Sequence, residues 1–261
     1  MKNILFGAII GDIVGSRFEF NNHRSKDFEL FHEKCFVTDD SIMTIAVANA
    51  ILESKNKKND LGLLAIQWMQ KLGRPYPRCG FGGRFFHWIY QDNPTPYYSF
   101  GNGAAMRVGT CGYFGKDLED TKALSKSVTE VSHNHPEGLK GAEATSVCVY
   151  LARNGKTKEE IKRYVNEHYY SLDFTLDDIR DTYLFNETCQ DTVPQAIQAF
   201  LESKNFEDAV RCAISVGGDS DTLAAITGAI AGAYYGIPED LIKQATTYLD
   251  DRLKAAIEPL L

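Results

Sequence analysis

The sequence predicts an all-α fold, and three observations carry that expectation. Apolar residues recur at helical spacing in one segment after another, alternating strand patterns are nearly absent, and the breaks between segments hold glycine, proline or capping residues. The chain has 261 residues, 44% hydrophobic and 24% charged, enough to bury a sizeable core. No run is rich enough in Pro, Gly and Ser to act as a flexible linker. The expectation is therefore a single compact orthogonal multi-helix domain over residues 1–261, with ten or more helices and its functional residues on the loops between them.

Residues 4–14 are apolar nearly all round apart from Asp12, as in a helix buried on every side. Gly7, Gly11 and Gly15 recur there every four residues, and Gly228, Gly232 and Gly236 repeat the spacing in the apolar run 223–237. A glycine inside a helix costs about 1 kcal/mol relative to alanine. Two such stripes predict two helices that cross at short range and bring the segments at their ends to one centre. Residues 42–52 and 61–72 follow as helices by their periodicity. Pro75, Pro77, Gly80, Gly82 and Gly83 make an irregular loop before a short aromatic helix over 85–90. Pro94, Pro96, Gly101 and Gly103 mark the next loop, and a helix resumes at Ala104. Further helices are expected over 118–131, 139–153, 158–168, 193–201, 206–214 and 241–257, with polar caps such as Thr157 with Glu160. The polar runs 53–60 and 154–160 read as loops between helices, and 169–191, the least patterned stretch, as a loop with one short helix.

A net charge of −7 with thinly spread Lys and Arg argues against a nucleic-acid surface. Six cysteines, at 35, 79, 111, 148, 189 and 212, form no C-x-x-C pair and predict free, mostly buried thiols. Lys2 and the apolar residues 4–10 faintly resemble a signal peptide, but Asp12 interrupts the run and no small-residue cleavage site follows, so a cytoplasmic protein is expected. The longest apolar run, 223–237, falls short of the roughly 20 residues that span a bilayer, and no membrane partner is expected.

Gly217-Gly218-Asp219-Ser220-Asp221-Thr222 places two aspartates and a hydroxyl at the mouth of the second striped helix. Either the acids cap the helix or they face a cation. Thr38-Asp39-Asp40-Ser41, about 180 residues upstream, has the same ingredients. Together Thr38, Asp39, Asp40, Asp219, Asp221 and Thr222 supply four carboxylates and two hydroxyls, a hard oxygen set that suits Mg²⁺, Mn²⁺ or Ca²⁺ over zinc. Two divalent cations would neutralise the four carboxylates, and Glu19, just past the first striped helix, would complete the set. T-D-D-S is equally a helix start with acids in its first turn, so residue chemistry leaves both readings open. Asp12 reads as a hydrogen-bonded structural acid behind such a site. Gly101-Asn102-Gly103 is a plain turn or a helix start whose amides meet a diphosphate. His133 and His135 have the spacing of a metal pair, though the oxygen-rich acids point elsewhere.

Gly11-Asp12-Ile13-Val14-Gly15-Ser16 with Glu19, Thr38-Asp39-Asp40-Ser41, Gly101-Asn102-Gly103-Ala104-Ala105-Met106-Arg107, Ser132-His133 and Gly217-Gly218-Asp219-Ser220-Asp221-Thr222 resemble, in order, the motifs of the ADP-ribosylglycohydrolase family, whose members include the dinitrogenase reductase-activating glycohydrolase. The motifs extend over nearly the whole chain. This resemblance implies an all-α fold, two Mg²⁺ or Mn²⁺ ions, and hydrolytic removal of ADP-ribose from a modified protein side chain or a small ADP-ribosyl conjugate. It implies Thr38, Asp39, Asp40, Asp219, Asp221 and Thr222 as metal ligands and Glu19, Asp39 and Asp219 as catalytic residues. It also implies Phe100 stacking on adenine, with Tyr97 and Tyr98 near enough to share that task, and Gly101, Asn102, Gly103 and His133 along the ribose and diphosphate. His135, before Pro136, is expected to be structural. One departure stands out: many bacterial relatives carry an aspartate followed by Ile-Gly near the leaving side chain, whereas Cys79-Gly80-Phe81-Gly82-Gly83-Arg84 has no acid and one cation. That places arginine-linked ADP-ribose in question and leaves serine-linked or other O-linked substrates open. The alternatives are a Mg²⁺-dependent hydrolase of nucleotide diphosphates and a non-catalytic ADP-ribose binder.

Overall fold

The computed structural model describes residues 1–57 and 60–261. Its helices are α1 (Lys2–Ser16), α2 (Asp39–Lys57), α3 (Leu61–Gly73), α4 (Gly83–Tyr90), α5 (Gly109–Phe114), α6 (Leu118–Thr129), α7 (Pro136–Arg153), α8 (Lys158–His168), α9 (Leu176–Ile179), α10 (Val193–Glu202), α11 (Phe206–Ile214), α12 (Ser220–Tyr235), α13 (Glu239–Thr246) and α14 (Asp251–Ile257). Among the described residues the extended pairing amounts to one isolated bridge, Gly101 with Thr188, so the all-α expectation holds. All six cysteines are free and buried. Among the described residues no helix is long and apolar enough to cross a membrane.

The glycine stripes do what their spacing predicts. α1 and α12 run antiparallel, with Asn3 opposite Gly232, Gly7 opposite Gly228, Gly11 opposite Ala224, and Gly15 opposite Ser220 and Asp221. A methyl group on Gly7 or Gly11 would run into the facing carbonyl of Gly228 or Ala224. The contact between two backbones thus offsets the helix-propensity cost of these glycines. Gly236 departs from the stripe: it lies past the end of α12 at a φ of 74° and ends the helix there. Because the pair is antiparallel, the C-terminal end of α1 meets the N-terminal end of α12. The core closes around them, with residues 4–16 of α1 and 220–232 of α12 buried.

Three further expectations need correction. Residues 241–257 are two helices, because the chain turns after α13 through Tyr248 N–H to the Ala245 carbonyl (3.1 Å) and Asp250 caps α14 by accepting from the Leu253 amide (2.9 Å). No α-helix resumes at Ala104; the chain makes a 3-10 turn, Asn102–Ala104, and α5 begins only at Gly109. The polar run 53–60 is largely helical, since α2 continues to Lys57, while residues 58 and 59 lie outside the described residues. The capping box of Thr157 and Glu160 starts α8 inside the run 154–160 expected as a loop, and elsewhere the local signals hold.

Candidate functional site

Three helix ends carry the acids. Asp12 lies in the last turns of α1, Glu19 in the turn after it, Asp39 and Asp40 in the first turn of α2, and Asp219, Asp221 and Thr222 at the start of α12. Asp12 joins the first two ends. Its carboxylate accepts from the Thr38 hydroxyl (2.6 Å), the Thr38 amide (3.1 Å) and the Ser41 amide (3.1 Å), and also from the Ser41 hydroxyl. With its oxygens so engaged, Asp12 ties the head of α2 to α1 and fits the structural role expected of it. Across the site the Thr222 hydroxyl donates to Asp40 Oδ2 (3.3 Å). The other oxygen, Oδ1, is buried without a hydrogen-bond partner.

Asp219 stands at the third of these helix ends. It occupies the N-cap position of α12 but makes no side-chain capping bond. Its Oδ2 instead accepts from the side-chain amide of Asn102 (2.6 Å). Gly217 and Gly218 supply φ values of 79° and 72°, a left-handed turn that L side chains resist, and so swing Asp219 toward the cleft. Two side chains of the loop after α1 brace this turn. Asn22 donates to the Gly218 carbonyl and accepts from its amide, both at 2.8 Å, and Arg24 donates to the Val216 carbonyl at 2.9 Å.

Carboxylate oxygens of Asp12, Asp40 and Asp221 lie within 4.8 Å of one another, as do those of Glu19, Asp219 and Asp221. No salt bridge among the described residues reaches these acids. Burial, then mutual repulsion, pushes Asp39, Asp40 and Asp221 well above the usual carboxylate range. Asp219 is also raised, by burial that outweighs its hydrogen bonds. Glu19 rises to about 7 through burial and the charges of Asp219, Glu187 and Asp12; Asp12 rises to about 6 through burial. Oxygen-only donors, buried like charges and the unpaired Asp40 Oδ1 fit a hard divalent cation. Asp39 stands outside both three-acid groups, although it lines the same cleft.

That cleft has a volume of about 550 Å³ and runs from the acids to the 97–103 loop. Phe100 is 40% exposed at its rim, with its ring 5.0 Å from that of His135. Two of the loop amides are already occupied: Gly101 N–H by the Ser99 hydroxyl (3.2 Å) and Asn102 N–H by the Glu187 carbonyl (2.7 Å). With a 3-10 turn in place of a long helix, the loop differs from the helix start that one reading of its sequence expects. His133 is buried behind it, with Nε2 toward Gly101 and Gly103 and Nδ1 2.9 Å from the Ser132 hydroxyl. Burial, with the charges of Arg107 and Arg84, holds its imidazole well below the ordinary range and therefore neutral. His135 does not join His133 in a metal pair, since its Nδ1 caps α7 by accepting from the Glu137 amide (3.1 Å).

A sequence profile of the family described as ADP-ribosylglycohydrolase matches residues 1–261. The chain belongs to the ADP-ribosylglycohydrolase family. It is 30% identical over 279 residues to the ADP-ribosylarginine hydrolase Tri1 of Serratia proteamaculans, covering 90% of this chain and 71% of the relative. It is 23% identical over 307 residues to the ADP-ribosylhydrolase ARH3 of Xenopus tropicalis, covering 90% and 87%. A solved structure described as an ADP-ribosylglycohydrolase-related protein complex shares the fold, with a TM-score of 0.69, 20% identity and coverage of 98% of this chain and 94% of that one.

Sequence reasoning missed the groups that fasten the site together. The poorly patterned stretch 169–191 holds it from both sides. Glu187 and Thr188 pair with the 101–102 backbone, Cys189 N–H donates to the Phe100 carbonyl (2.9 Å), and the Tyr183 ring lies against Gly218. Backbone carbonyls do much of this work, so side-chain identities gave little signal. Asn22 and Arg24 were missed for a different reason: the groups they brace around the 216–218 turn lie over 150 residues away in the chain. Arg84, the departure from the bacterial pattern, donates to the Tyr97 carbonyl and lies 4.8 Å from the Tyr97 ring, on the same wall as His133.

Proposed function

We propose that this protein is a metal-dependent hydrolase that releases ADP-ribose from modified protein side chains or small ADP-ribosyl conjugates. One observation carries the reading: two acidic stretches about 180 residues apart come together in two oxygen groups that share Asp221, on a cleft also lined by the 97–103 loop and His133. Thr38, Asp39, Asp40, Asp219, Asp221 and Thr222 would hold two Mg²⁺ or Mn²⁺ ions. When bound, such ions supply Lewis-acid charge that orients ribose hydroxyls and neutralises the acids.

The chain's own groups then divide the work. Phe100 offers a face to adenine, while Gly101, Asn102, Gly103 and His133 line the ribose and diphosphate. Glu19, Asp39 and Asp219 lie at the reacting end. Glu19 lines the cleft beside Asp219 and Asp221, within reach for proton transfer. It takes a proton from the attacking water as oxygen bonds to the anomeric carbon and the bond to the side-chain heteroatom breaks. A proton returns to that departing nitrogen or oxygen, leaving free ADP-ribose and the unmodified side chain. The placement of Arg84 beside Tyr97 directs its charge toward the diphosphate wall, which leaves both N- and O-linked substrates compatible with the reacting end. Six free thiols agree with a reducing, cytoplasmic setting.

The test is incubation with Mg²⁺ or Mn²⁺ and with peptides carrying ADP-ribosyl-arginine or ADP-ribosyl-serine, beside the Asp219→Ala variant. Free ADP-ribose from the wild type alone is the expected result. AMP as the product would indicate diphosphate cleavage, and equal release by the variant would remove the acid cluster from the mechanism.

A further inference from the structure

Arg107 is 1% exposed, and no salt bridge among the described residues pairs it with an acid. A buried guanidinium in that state carries a large desolvation penalty. Its Nη2 donates to the Ser132 hydroxyl at 2.8 Å and lies 3.5 Å from His133 Nδ1. Having accepted from Arg107, the Ser132 hydroxyl has its own proton to direct at His133 Nδ1, 2.9 Å away. Two donors therefore face Nδ1. A proton on Nδ1 would point at the guanidinium N–H, so in a neutral ring the proton belongs on Nε2. Nε2 faces the Gly101 and Gly103 backbone at the cleft.

We propose that Arg107 and Ser132 are positioning residues that hold the neutral imidazole of His133 with its proton on Nε2, a standing hydrogen-bond donor to the diphosphate of ADP-ribose. The other groups that face the ring agree with this state. Arg84 adds a second positive charge, which opposes a second ring proton, and the Tyr97 and Phe85 rings lie 5.5 and 6.2 Å away and exclude water. Arg107 remains a cation, its pKa lowered to about 10 by burial. The donor therefore stays constant through the pH range in which an ordinary histidine changes charge. The identity of the acceptor rests on the ADP-ribosyl hydrolase reading, whereas the tautomer does not.

The experiment uses the full chain labelled with ¹⁵N-histidine, without metal or substrate. Long-range ¹H–¹⁵N correlation spectra report the tautomer from about pH 5 to 8, around the ordinary histidine value near 6.5. Loss of signals in His133→Gln assigns the ring. The expected wild-type spectrum shows an Nε2–H tautomer that does not titrate. In Arg107→Met and Ser132→Ala, checked for folding by circular dichroism, tautomers mix; in Arg107→Met the ring also begins to titrate toward the ordinary range. ADP-ribose is expected to shift the His133 Nε2–H resonance, and the variants are expected to bind it roughly tenfold more weakly. A wild-type proton on Nδ1, or a ring that titrates normally, overturns the proposal whether or not either variant folds. Unchanged ring spectra in both folded variants overturn the role of Arg107 and Ser132. A fixed Nε2–H that ADP-ribose leaves unmoved overturns the donor role, while absent hydrolysis with the tautomer intact counts against the functional reading alone.

Discussion

Asn22 and Gly218 hold each other by two hydrogen bonds of 2.8 Å, one in each direction. Asn22 stands three residues after Glu19, and Gly218 immediately precedes Asp219. The pair thus fixes the distance between the expected acid/base and an expected metal ligand. Asn22→Ala leaves the Gly218 amide unpaired and its carbonyl with only the Ser220 hydroxyl at 3.4 Å, a loss of about 1–3 kcal/mol. We expect lower stability in urea and weaker Mn²⁺ binding by calorimetry. Wild-type metal affinity in this variant would show that the clamp serves only the fold.

Asp40 sets stability against function. It is buried among Asp39, Asp12 and Asp219, and one of its oxygens has no partner. Asp40→Asn removes a buried like charge while keeping the shape, so the metal-free variant is expected to melt at or above the wild-type temperature. Activity is expected to disappear. Stabilisation by Mn²⁺ is expected to disappear with it, whereas the wild type gains about 2.7 kcal/mol at a hundredfold excess over Kd. A variant that melts lower without metal and still hydrolyses substrate would make Asp40 a structural acid.

Backbone contact between α1 and α12 yields a sharp contrast between glycines. A side chain at Gly11 collides with the Ala224 carbonyl, while one at Gly82 meets nothing within 4 Å. Gly11→Val is expected to lower unfolding free energy by about 1–3 kcal/mol or more, because neither backbone has a rotamer with which to yield. Gly82→Ala is expected to fall within about 0.5 kcal/mol of the wild type. Urea midpoints for the two variants decide the matter, and similar values would contradict the close crossing.

That crossing was legible in the sequence because glycine spacing is a local signal of helix packing. The acids at the helix ends were legible as residue types, and the crossing explains why Asp221 comes to lie near Asp12 and Asp40. What stayed hidden was held by long-range or backbone partners. Nothing about Glu187 announces that its carbonyl receives the Asn102 amide, and nothing local to Asn22 names Gly218 as its partner. The turn at 247–249 was hidden by apolar periodicity running on both sides of it, although Asp250 and Asp251 carried an N-cap signal that could have revealed the break. The helix start expected at Ala104 failed because the Asn102 side chain is committed to Asp219 and Thr192, which fixes a 3-10 turn there.

The buried acids also predict an unusual pH dependence. Asp12 and Glu19 have ordinary values of 3.8 and 4.5 and rise in the fold to about 6 and about 7, and Asp39, Asp40 and Asp221 also shift upward. Across the window from about pH 4 to 7 the metal-free folded protein therefore binds more protons than the unfolded chain. Unfolding free energy then falls as pH rises, because folding must keep deprotonating acids buried beside one another. Divalent cations compete with those protons, so their stabilisation grows in the same direction. Thermal unfolding at about pH 5, 6 and 7, with chelator or with Mn²⁺, is expected to show a gap in melting temperature that widens toward pH 7. A gap that stays constant, or that narrows as pH rises, would show that these carboxylates are not what the cation binds.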